Sequence, residues 1–134
     1  MAGLIDLREN QVLDRLFGQQ ALTPPATWYI GLFTTLPADD GTGGVEVVGG
    51  SYARVAVANT LVEWPAASGG SKNNANAIVF PTASAGWGTV RGYGFFDALG
   101  GGNLWAFTPL DAERIVLNGD DFRFLAGAIT IQLD

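Results

Sequence analysis

What most constrains this chain is the length of its patterned runs. Only one stretch has helical periodicity, and the other apolar runs are short, tend to alternate with period two, and stop at glycine, proline or asparagine. Parallel strands need a crossover of a dozen or more residues, usually helical, and no second helical stretch is long enough to supply one. Strands joined by glycine-rich turns therefore pair antiparallel. The predicted fold class is mainly β: an antiparallel β-sandwich or barrel-like domain with a short N-terminal α-helix.

The helix is expected over residues 7 to 17. Asp6 is placed to cap it, Glu9 stands in the capping-box position, Val12, Leu13, Leu16 and Phe17 recur on one face, and Gly18 ends it. About three turns do not stand alone in water, so the stripe must lie on something. It is expected to cover an open face or end of the β-domain, or else to cross to a neighbouring subunit, which makes Leu13, Leu16 and Phe17 candidate interface residues.

Pro24 and Pro25 forbid continuation of the helix and favour an extended approach to the next element. The run TWYIGLFTT then places Trp28, Ile30 and Leu32 on one face and Tyr29 and Phe33 on the other, the pattern of a central strand buried on both sides. Residues 36–50 read as a surface loop carrying a minor strand at Val45 to Val48. Further strands are expected in SYARVAVAN, around Ile78, Val79 and Phe80, through Arg91, Tyr93 and Phe95, and through Leu104, Trp105 and Phe107 after a hairpin loop from Asp97 to Asn103. An Asn-Gly turn at 118 and 119 precedes the closing alternation of Ile129, Ile131 and Leu133. The total is about seven or eight strands. Gly92 and Gly94 leave one strand face bare, so something bulky should pack over them.

The length of 134 residues suits one domain spanning 1–134. For 14.0 kDa, about 6,700 Å² of folded surface is expected against roughly 20,000 Å² for the extended chain, enough burial for a core without metal or disulfide. No cysteine or histidine is present, which removes thiol nucleophiles, imidazole bases and the usual zinc ligands. The formal charge of −6 disfavours direct contact with nucleic acid. No apolar run approaches the roughly 20 residues that cross a bilayer, and MAGLIDLREN lacks the apolar core of a secretory signal, so neither membrane insertion nor secretion is expected. Charged residues make up only 15% of the chain against a usual figure of about 25%. Such a surface favours being covered, and a homo-oligomer is expected.

Candidate chemistry is sparse. The adjacent acids Asp39 and Asp40, and Asp120 and Asp121, could in principle divide acid and base roles, but they stand beside turn glycines and point apart on extended backbone. Asp39, Asp40 and Glu46 could converge on calcium, yet DDGTGGVE lacks the order of a calcium-binding loop. The clusters Gly69-Gly70 and Gly100-Gly101-Gly102 lack the lysine or the strand-to-helix setting of a phosphate loop and read as turns. No catalytic, cofactor or metal-binding residue is assigned. Tryptophans 28, 64, 87 and 105 fill either the core or a groove, with Trp64, Trp87 and Tyr93 the candidate exposed aromatic contacts. Arg54, Arg91, Arg114 and Arg123 lie in or beside strands, where a guanidinium can pair with a carboxylate across a subunit boundary.

Six segments in order carry a resemblance: ENQVLDRLFG, TPPATWYIGLFTTLPADDG, GGSYARVAV, NAIVFPTASAGWGTVRGYGFFDA, GGNLWAF and GDDFRFLAGAITIQLD. Together they resemble a family of small structural proteins of tailed bacteriophages, often loosely labelled tail fibre proteins. The resemblance implies a β-rich, non-enzymatic virion component used in several copies and synthesised in the cytoplasm of the infected host. The absence of a shaft-forming repeat departs from a long fibre. The first expectation is a capsid decoration or cement protein, with a trimer on the major capsid protein the economical arrangement. The alternative is a tail fibre or tail-tip module that contacts neighbouring tail proteins and host-surface glycans.

Overall fold

The computed structural model describes residues 3–133. After β1 (Gly3–Leu4) comes the single helix α1 (Asp6–Gly18), followed by β2 (Thr27–Thr35), β3 (Val45–Glu46), β4 (Val55–Ala58), β5 (Ser71–Asn73) and β6 (Ile78–Val79). β7 (Gly88–Phe96) and β8 (Leu104–Val116) are the other long strands, and β9 (Arg123–Phe124) and β10 (Thr130–Gln132) close the chain. All assigned strand pairs are antiparallel, as the lack of a crossover helix requires. The main sheet has six strands in the order β1-β8-β7-β2-β3, with β4 also paired to β2. Two ribbons, β5–β10 and β6–β9, complete the described strands. The main sheet is open, running from β1 to β3 and β4, and no barrel closure is seen among the described strands.

The two faces of the sheet are built differently. Ile30 and Leu32 stand opposite Phe95 and Tyr93 on one face, where both β2 residues are fully buried. Rings from the β6–β9 ribbon and its flanks cover this face, with Phe124 4.7 Å from Tyr93 and Phe80 5.7 Å from Phe122 between ring centroids. The other face is nearly bare at Gly31, Gly92 and Gly94, and bulky groups lie on it as expected. A Cβ at Gly94 would come 2.7 Å from Phe33 and 2.8 Å from Leu104, and one at Gly31 would come 2.8 Å from Phe96. The glycines thus let Phe33 and Phe96 lie against the backbone.

The structure has ten described strands because β1, β3, β6 and β9 have two residues each, too few to leave a period in the sequence. SYARVAVAN is strand only from Val55 to Ala58. Gly49, Gly50 and Ser51 all have positive φ and turn the chain there, so Tyr52 enters the core from a loop.

The helix differs from expectation at both ends. Asp6 is its first residue rather than its cap. Ile5 holds the cap position without a side-chain bond, and the Asp6 N–H donates to the Asp39 carbonyl at 3.0 Å, so the capping box does not form. Gly18 stays in the helix, and Gln19 takes the left-handed conformation that ends it. Nor does the apolar stripe cover the β-domain, since no helix residue is buried.

Candidate interaction surface

Arg54 lies inside the subunit, which corrects its assignment to an interface. Its Nε and Nη2 donate to Glu46 at 2.9 and 2.8 Å in a two-pronged ion pair, and its Nη1 donates to the carbonyls of Ala98 and Gly101. The guanidinium also lies 3.6 Å over the Phe96 ring. Glu46 accepts a third hydrogen bond from the Tyr52 hydroxyl, which itself accepts from the Leu32 N–H. Burial, followed by the Glu46 hydrogen bond, pushes the Tyr52 phenol well above its ordinary range. The cluster joins β3, the Tyr52 loop, β2 and the 97–103 hairpin. Sequence reasoning singled out Arg54 but had no means of finding its partners.

Of the other arginines, Arg91 pairs with Glu113 at 3.1 Å in the open and donates to the Thr34 carbonyl. Arg114 donates to the Asp121 carbonyl and lies over Phe122. Arg123 is exposed on β9 beside a pocket of about 280 Å³ that also takes in Tyr93, Asp111 and Arg114. A bulge of β8 forms one wall: Pro109 faces Gly92 and Arg114 faces Val90, leaving four residues opposite Arg91 alone.

The exposed aromatic contacts are likewise corrected. Trp64, Trp87 and Tyr93 are all buried in the core, and Trp87 donates from Nε1 to the Gly50 carbonyl. Tyr93 lines the pocket of about 280 Å³, and its phenol is pushed up to about 12 by burial and then by the Asp111 charge. The acids are turn chemistry. Asp40 accepts from the N–H and hydroxyl of Thr42, Asp120 from the Leu117 N–H, and Asp121 from the Thr82 hydroxyl. Asp97 gathers the N–H and amide of Asn103 and the Trp105 indole. Desolvation opposes its ionisation, but these bonds and the Arg8 charge lower its pKa overall. Glu46 is committed to Arg54 and Tyr52 rather than turned toward Asp39 and Asp40. Among the described residues no group of three or more acidic, histidine or cysteine side chains could hold a metal ion.

α1 carries an uncovered apolar stripe. Its first turn is fixed to the body: the Ile5 N–H donates to the Trp105 carbonyl, and the Arg8 guanidinium lies 3.7 Å over the Trp105 ring. Beyond that turn Leu13, Leu16 and Phe17 are exposed, the last two at 66% and 86%. The chain returns through residues 19–26, where Pro25 and Ala26 carbonyls accept from Asn59. The molecule exposes 7391 Å², about a tenth more than a monomer of this mass is expected to show. A second surface feature, which the sequence did not reveal, is a groove of about 240 Å³ of mixed polar and apolar lining between β4 and β6, formed by residues 55–58 and 76–79 together with Glu63 and Asn74.

The family model described as "Podophage GP4 fiber I protein gp80" matches residues 3–132. The chain belongs to this family. A comparison with curated proteins returned no match. Membership together with the β-rich body makes the chain a phage virion structural protein, and among the described residues no helix is long and apolar enough to cross a membrane.

Proposed function

We propose that this chain is a non-enzymatic building block of a podophage tail fibre, joined to neighbouring virion proteins through α1. The observation that carries this reading is the family match across residues 3–132, because it covers the β-body and the helical arm together and the family description names a fibre. Head decoration is the first expectation from the sequence, whereas the description of the family favours the fibre alternative. The exposed arm suits an assembly subunit, since a stripe of this kind gains stability only when another surface covers it. Burial of Trp64, Trp87 and Tyr93 removes the aromatic platform on which glycan contact was expected, so the role proposed is assembly and not sugar recognition. Labelling of purified virions with an antibody against this chain, viewed by electron microscopy, tests the assignment. Label at the tail is expected, and label distributed over the head would restore the decoration reading.

A further inference from the structure

We propose that the pocket of about 280 Å³ beside the β8 bulge binds a small carboxylic acid that carries a hydroxyl or ammonium group next to its carboxylate and an apolar side chain. The site is separate from α1 and does not depend on how the protein is assembled. It contains a phenol that the fold leaves unpaired. Tyr93 lines the pocket and is only 4% exposed, yet its hydroxyl has no hydrogen-bond partner among the described residues. Polar groups so deeply buried are normally bonded, and an occupant of the pocket supplies the missing partner.

Charge says what kind of occupant. On a chain of formal charge −6, two basic residues, Arg114 and Arg123, and one acid, Asp111, line this pocket. Arg114 is held by the Asp121 carbonyl and the Phe122 ring, whereas the side chains of Arg123 and Asp111 have no hydrogen-bond or ion-pair partner among the described residues. Donors and positive charge are therefore in excess. A carboxylate satisfies them, and a guanidinium can hold one through two parallel bonds. Asp111 comes from the bulge, among the four residues opposite Arg91 alone. It repels a simple carboxylate but accepts from a hydroxyl or ammonium beside one. Phe122 and Phe124, which also line the pocket, suit an apolar side chain. The volume lies just below the range of about 300–1,000 Å³ for drug-sized ligands, so the acid is small.

The test titrates the full chain with phenyllactate, phenylalanine and hydrocinnamate, observed by NMR. The three share a stem, and hydrocinnamate lacks the second polar group. At least one of the first two is expected to bind about tenfold tighter than hydrocinnamate, and the better of them shows whether the donor is a hydroxyl or an ammonium. Arg123→Gln should weaken all three by about tenfold, and Tyr93→Phe should weaken them in the same direction. Asp111→Asn should act with the opposite sign on hydrocinnamate, tightening it and narrowing the preference. Arg123 and Asp111 are exposed, so both of their variants should fold, which circular dichroism checks. Arg15→Gln, on the helix and outside the pocket, should change nothing. Any of four results overturns the proposal: no binding of the three acids at about 10 mM, equal binding of all three, a loss in Arg15→Gln as large as in Arg123→Gln, or hydrocinnamate binding that Asp111→Asn fails to tighten.

Discussion

Replacing Arg54 by methionine is the most informative single change to the body. Its side chain is only 8% exposed and that of its partner Glu46 22%, so the substitution leaves a largely buried carboxylate without its cation. Breaking a buried pair by removing one partner costs about 3–5 kcal/mol. The residual exposure of Glu46 lowers that figure, while the lost bonds to the Ala98 and Gly101 carbonyls and the lost contact with Phe96 raise it. A loss of about 3 kcal/mol is expected, which for a domain of this size is roughly 10 °C in Tm. Urea unfolding followed by tryptophan fluorescence measures it, with Trp87 packed edge-on to Tyr52 at 5.5 Å as a nearby reporter. Replacing Glu46 by methionine as well removes the stranded charge. The double variant should therefore be more stable than the sum of the two single losses by about 2 kcal/mol. An R54M variant within about 1 kcal/mol of wild type, or a strictly additive cycle, would refute the view that this cluster fastens β3 and the 97–103 hairpin to the sheet.

Three further outcomes follow from the body of the protein. Gly92→Ala should destabilise by about 1–3 kcal/mol or more, because the new Cβ meets Leu36 and lies 2.6 Å from the Thr108 carbonyl oxygen, whereas Gly100→Ala, with open space around it, should be neutral or slightly stabilising; equal stability of the two variants in urea would contradict this. Asn74→Ala should cost about 2–4 kcal/mol by the same assay, since it removes two donors to the carbonyls of Asn76 and Leu125 and the acceptor of the buried Ile129 N–H, and a loss below about 1 kcal/mol would show that those groups find other partners. Tyr93 resists ionisation in the folded state, its phenol raised to about 12 against an ordinary value of 10, so its contribution is complete below pH 10 and is lost as the pH rises through 12. That loss is roughly 1–3 kcal/mol; Asp111→Asn should narrow it, and unfolding curves that do not change from pH 9 to 12 would contradict the assignment.

The sequence by itself determined the class of fold. One three-turn amphipathic stretch and no second helix forced antiparallel pairing, TWYIGLFTT announced a strand buried on both sides, and Gly92 and Gly94 announced a close approach that Phe33, Leu36 and Leu104 make. These readings rest on local sterics and on the period of the backbone, which neighbouring residues carry on their own. Tertiary structure decided the rest. Trp87, between two glycines, has no local sign of burial and is covered only because the turn at Gly50 and Ser51 brings distant chain over it. Arg54 looked like a surface cation until Glu46, Ala98 and Gly101 were brought around it from separate elements. The arm shows the same limit in reverse: periodicity established that Leu13, Leu16 and Phe17 share a face, but what covers that face depends on surfaces far along the chain or on another molecule. Burial is a property of three-dimensional proximity, and a pattern of period 3.6 records which residues face the same way without recording what they face.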